Sequence, residues 1–140
     1  MRRAHVIPPL LCALLLALPS AAQAPCEQIV LNPVEQLVLL GPLQMRVRAR
    51  VDTGADLSSL DSQLAAQLGL DQPVVREVII RNAHGTTRRK VVKLKYMLRG
   101  QVRTGEFSLY SRDGLPHPVL LGRSSLKGFL VNPDGECKGC

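Results

Sequence analysis

Met45-Arg46-Val47-Arg48-Ala49-Arg50-Val51 alternates apolar and charged residues and runs straight into Asp52-Thr53-Gly54-Ala55-Asp56. A period of two puts Val47, Ala49 and Val51 on one face and three arginines on the other, which predicts a half-buried strand. The chain must therefore supply a sheet or barrel to cover the apolar face. The strand delivers a carboxylate to a tight turn, where Thr53 carries a hydroxyl and Gly54 allows backbone angles and close approach that a Cβ would resist. Taken alone, Asp-Thr-Gly after a strand also describes an Asx turn. Its meaning has to come from the rest of the chain.

The rest of the chain is rich in β signals. The apolar stretch Glu35 to Leu40, closed by Gly41-Pro42, predicts a strand and turn leading into the Met45 strand. After the Asp52 turn, Asp61 is placed as an N-cap, Leu64 and Leu68 lie one turn apart, and Gly69 suits a C′ position, so a short helix is expected. Val74 to Ile80 and Thr86 to Leu98 are the arms of a long hairpin whose polar tip is Asn82-Ala83-His84-Gly85. Arg88, Arg89, Lys90, Lys93 and Lys95 give it a basic face that reads first as solvated edge protection. A second turn is expected from Arg99-Gly100 to Gly105, followed by a strand from Glu106 to Tyr110. Ser111 to His117 is loop by composition. Pro118 to Val131 then reads as an apolar strand, a glycine, one or two helical turns and a last strand. Many short strands with one or two short helices predict a small, mostly β barrel or sandwich.

The N-terminus reads as an export signal. Arg2 and Arg3 precede an apolar run from Val6 through Leu18 and then small residues up to Ala24, too short and too broken by Pro8 and Pro9 for a membrane span. Cleavage is expected after Ala22, because cutting after Ala24 would leave Pro25 beside the scissile bond. Residues 1–22 are thus the expected signal peptide and 23–140 one domain, periplasmic or secreted. Removing two arginines and no acid leaves 16 basic against 11 acidic residues, a charge of +5. Aromatics are only 3% of the chain and Trp is absent, so there is little for base stacking, and nucleic acid is not the expected partner.

Cys26, Cys137 and Cys140 survive cleavage into an oxidising compartment, where pairing is expected, but their number is odd. Cys137-Lys-Gly-Cys140 has C-x-x-C spacing but lies in a terminal tail, which favours a structural staple over redox chemistry. A zinc site would need further ligands, and the mature chain offers only His84 and His117, without metal-like spacing. No metal or cofactor is expected.

From Met45 to about Pro133 the chain resembles the retropepsin-like aspartic proteases. Asp52-Thr53-Gly54-Ala55-Asp56 matches their first motif, and Leu120-Leu121-Gly122-Arg123, with Leu126 following, matches their second; a flap-like hairpin lies between. More narrowly, Arg50 to Leu60 and Pro118 to Arg123 resemble a bacterial branch often found beside ATP-grasp glutamate ligases and sometimes labelled an ATP-dependent zinc protease. This chain shows neither a phosphate-cradling glycine-rich loop nor His-Glu-x-x-His.

The resemblance implies a small closed acid-protease barrel that is homodimeric, because amide hydrolysis by an aspartic dyad needs two carboxylates and the chain carries one such motif. Two adjacent carboxylates titrate in two steps, which implies activity at acidic to near-neutral pH. Asp52, Thr53 and Gly54 would be catalytic, with Thr53 bracing the two active-site loops. Ala55, Asp56, Ala83, His84 and Gly85 would contact a peptide or protein substrate beneath a closing flap. Leu120, Leu121, Gly122 and Arg123 would support the Asp52 loop, Arg123 through an ion pair with Asp56. In this family the chain termini interleave into a dimer sheet, which would bring Cys26 near Cys137 or Cys140 for a disulfide. The implied function is an exported aspartic endopeptidase with a functional link to a glutamate-ligase system. The alternatives are a binding or assembly module that keeps the fold without turnover, and a basic adaptor for an anionic polymer.

Overall fold

The computed structural model describes residues 27–135. The expected signal segment and Cys26, Cys137 and Cys140 lie outside them. The described elements run β1 (Val30–Leu31), β2 (Val34–Leu40), β3 (Met45–Val51), β4 (Ser58–Asp61), α1 (Ser62–Gln67), β5 (Val74–Asn82), β6 (Gly85–Leu98), β7 (Gln101–Tyr110), β8 (Val119–Leu121), α2 (Arg123–Leu126) and β9 (Leu130–Val131).

The alternating segment is β3, with Val47 and Ala49 buried and Arg46, Arg48 and Arg50 exposed. Its apolar face is covered as the pattern requires. Strands pair in the order β2-β3-β8-β4-β7-β6, and β2 pairs again with β6 from Leu37↔Leu98 to Leu40↔Lys95, so the sheet closes on itself as a six-stranded barrel. The mostly β closed barrel with two short helices is therefore formed. Leu37, Leu39, Leu60, Val92, Leu98, Val119 and Leu121 fill the interior, and the rings of Tyr96 and Phe107 meet edge-to-face with centroids 5.4 Å apart.

Among the described residues, strand β5 is the edge that closure leaves over, paired only with β6 in a hairpin that extends past the barrel. Its arms reach closer to the tip than the sequence indicated, to Asn82 and Gly85, which pair with each other and leave Ala83-His84 as a two-residue turn. The Asn82 side chain accepts the His84 N–H at 3.0 Å, an Asx contact that fixes this turn.

The expected turn from Arg99 to Gly105 is corrected. Arg99 and Gly100 both have positive φ, 49° and 76°, and alone make a two-residue hairpin turn, so β7 begins at Gln101 and not at Glu106. Gly105 is a strand residue: a Cβ there would sit 3.4 Å from the Tyr96 ring, so its glycine accommodates a core aromatic. Arg99 also grips the buried Glu35 carboxylate through two bonds of 2.9 and 2.7 Å, tying this turn to β2.

Helix α1 forms where the caps predicted it, with Asp61 Oδ1 accepting the Leu64 N–H at 2.9 Å and Gly69 at φ 66° just past the end. The last strand expected by Val131 is present as β9, whereas β1 is too short to show a period in the sequence. They pair in parallel within one chain, Val30↔Leu130 and Leu31↔Val131, and lie beside the Asp52 turn, where Val51 donates its N–H to the Pro33 carbonyl at 2.8 Å.

Candidate active site

Strand β3 pairs in parallel with β8, Ala49↔Val119 through Val51↔Leu121, so the end of β3 is held from the side by the second motif. One residue further on, Asp52 donates its N–H to the Leu121 carbonyl at 2.9 Å. The carboxylate is drawn back over its own turn by the Gly54 N–H, which reaches Oδ1 at 2.9 Å. A Cβ on residue 54 would lie only 3.2 Å from that oxygen, a physical reason for glycine at the third position of the motif.

The loop beyond Asp52 is laced to the start of α2. Arg123 and Ser124 donate their N–H groups to the carbonyls of Ala55 and Asp56 at 2.8 and 3.1 Å. The Arg123 guanidinium spans the loop from outside, pairing with the Asp56 carboxylate and reaching the Thr53 carbonyl at 3.1 Å. Gly122 lies where these segments press together: a Cβ there would fall 2.7 Å from the backbone of Leu57 and 2.9 Å from the Ala55 carbonyl oxygen. The two motifs, about 70 residues apart in sequence, are one folded unit.

Asp52 opens onto a cleft of about 650 Å³. Gly54, Ala55, Asp56, Leu57 and Leu120 line it on the side of the Asp52 loop, and Ile79, Ile80, Arg81 and Asn82 of the hairpin line the other. The far end is cationic. The Arg89 guanidinium carbon lies over the Tyr110 ring, 3.7 Å from its centroid. Arg112 is fixed by three bonds: backbone N–H to Asp61 Oδ2 at 2.8 Å, Nε to the His117 carbonyl at 2.7 Å and Nη1 to Ser59 Oγ at 3.1 Å. Burial lowers the pKa of both guanidiniums from the usual arginine value, and at Arg112 the neighbouring Arg89 charge adds to the effect while Asp61 and Tyr110 oppose it. Neither arginine forms an ion pair among the described residues.

A second cavity of about 290 Å³ lies on the other side of Asp52, between Thr53, Arg50 and the terminal residues Pro33, Val131 and Pro133. Asp52 thus borders both the cleft and this second cavity. Thr53 is exposed on the latter side and does not line the cleft.

Of the residues singled out in the sequence, Asp52, Gly54, Ala55, Asp56 and Leu120 meet at the cleft, and Leu121, Gly122 and Arg123 stand behind it. Ala83, His84 and Gly85 are exposed at the hairpin tip and do not line the cleft; the stem residues Ile79 to Asn82 do. Sequence reasoning missed Ile79 and Ile80, Arg89, Tyr110, Arg112 and the buried Ser58. The adjacent apolar pair Ile79-Ile80 in a strand with one free edge was the available signal. Arg112 gave none, being a loop arginine among many. No group of three or more His, Cys, Asp or Glu side chains placed to share a metal occurs among the described residues.

Comparison with known proteins agrees with this geometry. Residues 44–128 match the family model described as "gag-polyprotein putative aspartyl protease". No curated protein matches the chain. Among solved structures, a Legionella pneumophila protein of unknown function is similar with a TM-score of 0.58 and 21% identity, over 79% of this chain and 97% of that one. The simian foamy virus protease is similar with a TM-score of 0.51 and 18% identity, over 66% of this chain and 90% of that one. The foamy viral protease-reverse transcriptase solved with an RNA/DNA hybrid gives 0.50 and 20%, over 67% of this chain and 12% of the other. At these identities the solved structures share the fold, which is retropepsin-like.

Proposed function

The chain belongs to the gag-polyprotein aspartyl protease family, and from that premise we propose that it is an exported aspartic endopeptidase whose catalytic pair is Asp52 of one chain and Asp52 of a second. One observation carries the reading. The Asp52 carboxylate stands at the border of a cleft of about 650 Å³ and of a surface that includes Thr53, Pro33, Val131 and Pro133, on a loop held by Leu121, Gly54 and Arg123. A copy related by a two-fold axis through that surface would bring its own Asp52 to the same place.

Two carboxylates that close cannot both ionise readily, so they share one proton. The ionised member takes a proton from a bound water as the water oxygen attacks the substrate carbonyl carbon, and the protonated member gives its proton to the carbonyl oxygen. The carboxyl that took the water proton then gives it to the amide nitrogen as the C–N bond breaks. The other carboxylate takes a hydroxyl proton of the intermediate, so that the amine and the carboxylic acid leave and the pair again shares one proton. Thr53, exposed toward the second cavity, is assigned the brace between the two loops. Ala55 and Asp56 would meet the substrate backbone from below. The β5–β6 hairpin would close from above with Ile79 to Asn82 along the substrate and the Ala83-His84-Gly85 tip over it, ordering the peptide as an added strand. The signal peptide, the periplasmic or secreted location, a disulfide from Cys26 to Cys137 or Cys140 and the link to a glutamate-ligase system belong to the same proposal and rest on the sequence.

The test is digestion of a diverse peptide library by the mature chain from acidic to neutral pH, beside Asp52→Asn. Cuts that vanish in the variant support the proposal. An uncut library from a chain that is monomeric by sedimentation would leave a binding module of the same fold as the better reading.

A further inference from the structure

Two serines are completely or almost completely buried behind the Asp52 loop, Ser58 at 0% and Ser125 at 2% exposure, their Oγ atoms 2.7 Å apart. A buried hydroxyl is costly unless it is bonded. What Ser58 bonds is therefore informative. Its Oγ accepts the N–H of Gly122 at 3.0 Å.

The other end of that same peptide unit is the Leu121 carbonyl, which accepts the N–H of Asp52 at 2.9 Å. A peptide unit is rigid and planar. The Leu121–Gly122 plane is therefore held at one end by the Ser58 hydroxyl and at the other holds the backbone of Asp52. Gly122 lets the Ala55 and Leu57 backbone close on the plane, since a Cβ there would lie 2.7 Å from Leu57. If the Ser58 bond is lost, the Gly122 N–H is left buried without its partner and the plane is free to tilt, carrying the Leu121 carbonyl away from Asp52.

We propose that Ser58 is a positioning residue for Asp52, acting through the Leu121–Gly122 peptide unit, with Ser125 completing the hydroxyl pair. This deepens the protease reading and rests on it for its catalytic meaning. The positioning itself can be read without turnover.

The experiment compares the wild-type mature chain with Ser58→Ala, Ser58→Thr, Ser125→Ala and Ser108→Ala. The Ser108 hydroxyl is also buried but, among the described residues, bonds only the Ser58 carbonyl, at 3.3 Å, and serves as the control. Two readouts are taken: the NMR shifts of the Asp52 amide and carboxyl across a pH titration, and peptide cleavage. Ser58→Ala is expected to move the Asp52 amide shift and carboxyl titration, and to lower kcat about tenfold or more with KM within about twofold. Ser58→Thr restores both, Ser125→Ala moves them less in the same direction, and Ser108→Ala leaves them as in wild type. If Ser58→Ala does not fold, Ser125→Ala and the Thr rescue carry the comparison. Unchanged Asp52 signals in Ser58→Ala, or in Ser125→Ala in that event, overturn the inference. Shifted Asp52 signals with no wild-type cleavage would sink the protease reading and leave the positioning intact.

Discussion

Asp52 is held by the Leu121 carbonyl on its backbone and by the Gly54 N–H on its carboxylate. Replacing it with Asn keeps the shape and removes the proton chemistry, so Asp52→Asn should lower cleavage at least about a hundredfold, the lower end of what a positioned acid–base group contributes, while circular dichroism stays unchanged. Arg123 acts differently. Its pair with Asp56 is exposed at both partners, 55% and 86%, and such a pair adds about 0–1 kcal/mol. Its bond to the Thr53 carbonyl, however, spans the Asp52 turn. Arg123→Lys should therefore change the urea midpoint little and reduce kcat more than stability would suggest. Gly122→Ala has no such separation: its Cβ would meet backbone at 2.7 Å, and forced overpacking of this kind costs about 1–3 kcal/mol. Legibility at this scale followed contiguity. Asp52, Thr53 and Gly54 carry their chemistry in three consecutive letters, whereas Ser58, Ser125 and Arg112 act only after folding brings distant segments together, and as isolated letters they resemble any serine or surface arginine.

Among elements, α1 was readable because its signals are local. Asp61 caps the Leu64 N–H and Gly69 ends the helix, and neither needs a distant partner. Asp61 also accepts the Arg112 N–H, so one carboxylate joins the helix start to the cationic end of the cleft. Asp61→Ala should cost about 0.5–2 kcal/mol as a lost N-cap, seen in thermal melts, and should also loosen Arg112. The β6–β7 turn was misjudged for the opposite reason. Gly105 looks like a turn residue until the Tyr96 ring is known to lie against it, and the real turn, Arg99-Gly100, needs positive φ at an arginine. The flap was legible as a hairpin but not as a cleft wall. Which of its residues face Asp52 depends on how β5 leaves the closed barrel, and no local pattern encodes that.

The barrel is complete within one chain, and the catalytic pair would require two. Closure of β2 on β6 buries the core within one chain, so the fold does not depend on the second chain that the proposed dyad would require. Acid sets a second constraint on the whole molecule. His117 has its pKa lowered from 6.5 by burial and then by the charges of Arg48, Arg50 and Arg112, and its Nδ1 is buried without a bonding partner among the described residues. A depressed histidine binds protons more readily when unfolded, so its contribution is fully present above about pH 6.5 and declines as pH falls below that value. Asp61 adds a later loss. Burial opposes its carboxylate, but the N–H groups of Leu64, Arg112 and Gln63 and the Arg112 charge outweigh burial and hold its pKa below 3.8. Its stabilisation is present above 3.8 and goes as pH falls through the folded value. Urea midpoints should fall in two stages on acidification, and His117→Asn should flatten the first. The most direct measurement for the shared dyad is the activity of wild-type chains mixed and re-equilibrated with Asp52→Asn chains at fixed total concentration. If each site takes one Asp52 from each of two chains, activity falls as the square of the wild-type fraction. A linear fall would mean that every chain carries its own complete site, and the two-chain dyad would be wrong.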